Sequence, residues 1–190
     1  MTAHAAAKQT PTITNGVNVT ALVDIIAAVK ADPKFAHFNF RATNHWQTGD
    51  KNCTTIKEFT GASQEQRKDA EPFVFWNGEH SVLPGDDKAP NPVEWLLHAL
   101  IGCMTTTLAY HAASRRIAIE SIESSIDGDI DLRGFLGLSD KVRKGYSSIR
   151  VNMRVKSTGS PAALTALAKL SPVFDVVSKS VPVDVTITTC

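Results

Sequence analysis

The 190-residue chain has almost no net charge: 20 Lys and Arg stand against 19 Asp and Glu, leaving +1 with neutral histidines. That balance gives no long-range attraction for nucleic acid or for an anionic membrane surface, and the densest cationic cluster, Lys141 to Lys144, is short. Cysteine is scarce too. Cys53, Cys103 and Cys190 are odd in number and widely spaced, which fits neither a disulfide framework nor a zinc site and leaves individual thiols. There is no G-x-x-x-x-G-K-[ST] loop, dinucleotide fingerprint or G-x-S-x-G elbow, so nucleotide chemistry is disfavoured. The first ten residues lack the charged start and apolar run of a secretory signal, and the expected compartment is therefore the cytoplasm, where thiols stay reduced. Neither an internal repeat nor a low-complexity tract occurs.

What the chain does have is one charge-free stretch. From Trp95 to Ser114 there is no Asp, Glu, Lys or Arg, and apolar residues occur at every angle of a helical projection, which predicts a helix buried on all faces. Pro92 suits a first helical turn, and Glu94 lies near the positive end of the helix dipole. Val93 to Ala113 would extend about 30 Å, the span of a small domain or of a bilayer. His98, Thr105, Thr106, Thr107 and His111, with no second segment of this kind, favour a core helix over a membrane span. Mid-helix, after Gly102, sits Cys103. Free cysteine is commonly a buried structural residue, but Thr106 and Thr107 lie about 60° and 40° from it around an ideal helix and put hydroxyls on its face. A reactive thiolate also needs a cation or donor, and no Lys or Arg is in local sequence reach. His98 and His111 lie on different helix faces, which disfavours a metal pair.

Around this helix the chain divides near residue 36. In residues 1–36, Met1 to Gly16 reads as an unpatterned arm, followed by an amphipathic helix with Leu22, Val23, Ile25, Ile26 and Val29 on one stripe, Thr20 as candidate N-cap and Pro33 as stop. In residues 37–190, alternation from Phe38 to Trp46 predicts a hairpin turning at Gly49-Asp50 and returning near Cys53 to Phe59. Gln64 to Glu71 reads as a loop, and Pro72 to Trp76 with Ser81 to Leu83 as a second hairpin about Asn77-Gly78. Ile122 to Leu132 alternates with acidic residues and Ile149 to Val155 with basic ones, an antiparallel pair with facing charged rows. Ser160-Pro161 and Ser171-Pro172 each set an N-cap before a proline at N1, the first opening a helix that buries Leu164, Leu167 and Ala168. Val181, Val183, Val185 and Ile187 predict a last strand. These elements describe an α+β domain with antiparallel sheet, and an all-round apolar helix in so small a chain calls for a second subunit as cover.

The run Asn91-Pro92-Val93-Glu94 followed by Gly102-Cys103, together with His45-Trp46, Gly128-Asp129 and Ser171-Pro172-Val173, resembles the OsmC/Ohr family, the osmotically inducible and organic-hydroperoxide-resistance proteins. The resemblance covers about residues 37 to 190 and implies an intertwined α+β homodimer, its antiparallel sheets packed around a central buried helix that carries the cysteine. It implies reduction of organic peroxides as well: the helix cysteine becomes a sulfenic acid, a second cysteine resolves it and a dithiol regenerates the pair. The chain departs from that pattern in three places. Ser171 stands where the peroxide-reducing members keep the second cysteine. Val93 stands where they have glutamate, with Glu94 one place on and about 180° from Cys103 on an ideal helix. Their hairpin arginine has no clear counterpart, since Arg41 precedes the turn and Lys51 is only a loose positional match.

Two functions are therefore expected as alternatives. One is a thiol-dependent peroxide reductase or peroxide-responsive protein using Cys103, supported by Glu94, Thr106, Thr107 and Ser171. It would need no bound cofactor or metal, and its sulfenic acid would be resolved by an external thiol or dithiol, or by Cys53 or Cys190. The other is a non-catalytic member of the fold that holds a small apolar or electrophilic ligand. The expected partners are a second copy and a small organic peroxide or apolar ligand, with no nucleic acid and no membrane.

Overall fold

Asn15 and Gly16, both at positive φ, turn the two-residue strands β1 (Ile13–Thr14) and β2 (Val17–Asn18) back on each other, so the arm expected to be unpatterned contains a small hairpin. The structure, a computed structural model, describes residues 10–189. The beginning of the expected arm and Cys190 lie outside the described residues. Two compact units follow one another, one up to Trp95 and one from Leu96 onward.

In the first unit α1 (Val19–Ala31) starts at Asn18, whose Oδ1 accepts from the Ala21 amide at 3.0 Å. Thr20, the expected cap, instead accepts from the Thr12 amide at 3.0 Å. Asp32 ends the helix and Pro33 opens a single 3-10 turn, as the stop signal indicated. Six short strands follow: β3 (Asn39–Phe40), β4 (Thr43–Thr48), β5 (Lys51–Ile56), β6 (Phe59–Gly61), β7 (Gln64–Gln66) and β8 (Phe73–Asn77). They form two antiparallel sheets, β4-β5-β8 and β3-β6-β7.

The first hairpin turns at Gly49-Asp50 as expected, with Gly49 at φ +54. The alternating run from Phe38 does not continue into it. Asn39 and Phe40 pair with Thr60 and Phe59, where the rings of Phe38, Phe40 and Phe59 stack at centroid separations of 5.1 to 6.1 Å. Gln64 to Gln66 is a strand and not loop, because Ala62 and Ser63 both adopt left-handed φ and close a tight hairpin onto β6. Nor does the second expected hairpin form. Phe73–Asn77 pairs with β5, the Asn77 amide donates to Asn52 Oδ1 at 2.8 Å, and Ser81 to Leu83 lies in turns.

The second unit contains most of α2 (Pro92–Ser114), then β9 (Ile119–Asp129), the one-turn α3 (Leu132–Phe135), β10 (Ser148–Ser157), α4 (Pro161–Ala168) and α5 (Pro172–Ser178). Strands β9 and β10 pair over their full length, with Ile126 opposite Val151, Ile122 opposite Val155 and Glu123 opposite Arg154. Their apolar face packs on Leu100, Met104, Leu108 and Ala112 of α2 and on Leu164, Leu167 and Ala168 of α4. The expected strand stops short of Leu132, because Asp131 caps α3 by accepting from the Arg133 amide at 3.0 Å. Ser160 and Ser171 are N-caps as read from the sequence, with oxygens accepting from Ala163 and Phe174 amides at 3.3 and 3.1 Å.

Two further expectations fail in the single chain. α2 is not buried on all faces: Leu100, Met104, Leu108 and Ala112, spaced by four, form the buried stripe, while Leu96 and Tyr110 are exposed, because the elements of one chain cover one side of it. The last strand does not form. Residues 181 to 189 make no strand pairing, and Val183 and Ile187 are 79% and 83% exposed, since alternation selects a strand's face but cannot supply the edge it pairs with. Among the described residues no helix is long and apolar enough to cross a membrane.

Candidate functional site

The Asn91-Pro92-Val93-Glu94 run is a helix-start device. Asn91 Oδ1 accepts from the Val93 amide at 2.8 Å, and Glu94 reaches back so that its Oε2 accepts from the Asn91 amide at 2.8 Å, the reciprocal pattern of a capping box. Pro92 occupies N1, where the missing N–H costs nothing. Glu94, expected as a supporting site residue, thus acts locally by fixing where the helix begins. Trp95 locks the same turn, donating from Nε1 to the Trp76 carbonyl at 3.2 Å and standing edge-on to Phe75. Asn91 is the residue in this device that the sequence reading overlooked, although Asn three places before Glu is the capping signature.

Three turns further on, Cys103 is half-buried and unbonded to any other cysteine. Its Sγ lies 4.0 Å from Thr107 Oγ1, and that hydroxyl is its one polar contact among the described residues. Thr106 does not share in it: its hydroxyl is turned back to donate to the Gly102 carbonyl at 3.0 Å, as Thr105 does to Ile101 at 2.9 Å. Of the two hydroxyls expected beside the thiol, the structure therefore brings one. A Cβ on Gly102 would meet nothing within 4 Å, so the flank of the thiol is sterically open.

Ser171 is 0% exposed, and its hydroxyl is engaged in capping α5. Cys53 is half-buried on the central strand β5, opposite His45 on β4 and Trp76 on β8. On the last turn of α2, burial and the neighbouring Arg115 both push the His111 imidazole below its ordinary value, which favours the neutral ring. No group of three His, Cys, Asp or Glu side chains among the described residues could hold a metal ion. The second unit also contains an open cavity of about 510 Å³ with an apolar lining that includes Met104, Leu108, Met153, Leu164 and Phe174.

Residues 85–186 match the family of OsmC-like proteins. The chain belongs to that family. Solved structures agree on the fold: an OsmC-like protein from Mycoplasma pneumoniae superposes with a TM-score of 0.55 at 13% identity, covering 75% of this chain and 89% of that one. An OsmC-like protein of unknown function from Vibrio cholerae gives 0.52 at 12% identity, covering 72% and 92%. No curated protein matches the sequence. The OsmC-like match takes in the helix start, Cys103 and Ser171.

Chemically, the arrangement is a half-buried thiol 4.0 Å from a hydroxyl, with either atom able to donate, and the nucleophilic form of such a group is the thiolate. The hydroxyl can stabilise a thiolate and can afterwards donate to an oxygen transferred to sulfur.

Proposed function

We propose that this OsmC-like protein is a thiol-dependent hydroperoxide reductase that works through Cys103 and takes its reducing equivalents from an external thiol. The observation that carries the reading is the coincidence, within the segment that matches the family, of a half-buried thiol at Cys103 and a buried, engaged hydroxyl at Ser171. The Cys103 thiolate attacks the outer oxygen of a hydroperoxide ROOH, the O–O bond breaks, and the alkoxide leaves and takes up a proton as ROH. Sulfur is oxidised to Cys103–SOH and the peroxide is reduced to the alcohol. Serine at 171 cannot close a disulfide. A thiol R′SH therefore condenses with the sulfenic acid to give water and a mixed disulfide, and a second R′SH releases Cys103 as the free thiol and forms R′SSR′.

We place this chemistry in a homodimer located in the cytoplasm. Support for the dimer comes from surface left uncovered in one chain: the first unit buries no large side chain except Val17 among its described hydrophobic residues, and Val23, Ile25, Trp46 and Trp76 are exposed. A three-stranded sheet without a packed apolar face is not stable alone.

One equivalent of an organic hydroperoxide should add one oxygen to Cys103, trapped by a cyclic diketone, and a small thiol should reverse it. Excess peroxide should carry the same sulfur to the irreversible sulfinic acid. Rapid loss of two hydrogens with no oxygen adduct would show an internal disulfide and overturn the one-cysteine scheme. The apolar cavity favours a second reading, a binding protein for a small apolar ligand, and complete inertness of Cys103 at millimolar peroxide would select it.

A further inference from the structure

Arg67 follows β7 in a stretch whose sequence reads as loop, and three observations set it apart from an ordinary surface cation. Its backbone adopts φ +57, a left-handed conformation that a long side chain seldom takes up. Its guanidinium is held between two phenyl rings, with Cζ 4.9 Å from the Phe59 centroid and 5.3 Å from that of Phe73. Its Nε is buried and meets no acceptor among the described residues. An enclosed donor without an acceptor is costly, and because Arg67 as a whole is half-exposed, a partner can reach its guanidinium from the surface. Nearby Arg41 shows the contrast: it is satisfied by Glu65 and by Thr60 Oγ1 at 3.2 Å.

The surroundings indicate what that partner is. Phe38, Phe40 and Phe59 stack on one another with interplanar angles of 19° to 30°, and Phe38, Phe40 and Phe73 are exposed. The platform is constructed around a glycine. A Cβ on Gly61 would lie 2.4 Å from the Phe38 ring, so only glycine lets that ring sit over the strand. Exposed aromatic rings beside a planar guanidinium fork complement a ligand that is aromatic at one end and anionic at the other.

We propose that Arg67 and the phenyl platform form a binding site for a small aromatic carboxylate. The carboxylate accepts from the guanidinium, and the arene continues the phenyl stack on the exposed ring of Phe40 in the offset geometry that aromatic pairs favour. The site lies within the first unit and uses no thiol, so its failure would leave the peroxide chemistry of Cys103 untouched.

The experiment is titration of the full-length protein with 2-naphthoate, followed by the probe's fluorescence, beside its neutral analogue 2-naphthalenemethanol. A charge-assisted contact should make the acid bind roughly tenfold tighter than the alcohol. In Arg67→Met that preference should vanish with the alcohol little changed, in Arg67→Lys it should be partly kept, and Phe40→Leu should weaken both probes together. The acid-to-alcohol comparison on the unsubstituted protein requires no variant to fold. Equal affinity for the two probes, or unchanged naphthoate binding by a folded Arg67→Met, overturns the proposal. So does an absence of naphthoate binding combined with weaker self-association of Arg67→Met, which would assign the guanidinium to a carboxylate of a second copy.

Discussion

At the scale of single residues, buried position and hydrogen bonding decide which substitutions matter. Ser171 is the only buried polar side chain among the described residues, and its oxygen is the acceptor for the Phe174 amide. Ser171→Ala would leave that amide without its cap and should cost about 1 kcal/mol, read as a lowered urea midpoint with unchanged slope. Gly134 is more constrained, since a Cβ there would stand 2.3 Å from the Arg143 carbonyl oxygen, against backbone that cannot give way as a side chain can. Gly134→Ala should therefore destabilise by about 1–3 kcal/mol, measured in the same way, and a neutral result would show that the loop after α3 is free to shift. Sequence reasoning located Cys103, Thr107 and the capping role of Ser171 because helical spacing and the Ser-Pro signal are local. It passed over Arg67 because nothing local marks a guanidinium that is defined by two rings on other strands.

At the scale of elements, local signals were readable where the partner lies nearby in sequence or the pattern is long. Strands β9 and β10 were legible through ten residues of strict alternation and complementary charge, and α4 and α5 through their caps. The short strands β3, β6 and β7 were not, because two or three residues have no period and their pairing is set by left-handed turns at non-glycine residues. The charged face of β9 and β10 permits a signed prediction. Arg150 donates to Asp129 Oδ2 at 2.5 Å and also bonds Asp127, and these contacts, with Ser148, hold the Asp129 carboxyl down at about 2 from an ordinary 3.8. A carboxyl lowered by folding contributes stability above its unfolded value, and the contribution is lost as pH falls through the folded one. The acid limb of thermal stability between about pH 4 and 2 should thus be shallower in Arg150→Ala than in the parent. Because the pair is exposed, added salt should diminish the difference. An identical acid limb in the two proteins would mean that the ladder does not persist in solution.

At the scale of the whole molecule, two of the failed expectations, the all-round burial of α2 and the last strand, have one physical origin. Each was read from apolar residues that need cover, and one chain does not provide it: the tail retains the alternation of a half-buried strand while Val181, Val183, Val185 and Ile187 stand in solvent. If the proposed dimer supplies the cover, these valines are buried in the working protein, and a carboxylate placed among them is an unpaired buried charge. Val183→Asp and Val185→Asp should then each cost on the order of 2–3 kcal/mol and should weaken self-association, whereas Thr186→Asp on the opposite face should do neither. Sedimentation equilibrium would measure the association, and the unfolding midpoint of the parent should rise with protein concentration, as mass action requires of a chain whose folded state is the dimer. A midpoint independent of concentration, in a monomer indifferent to Val183→Asp, would mean that this OsmC-like chain folds with its apolar tail in water, and the cover inferred for α2 would have to come from elsewhere.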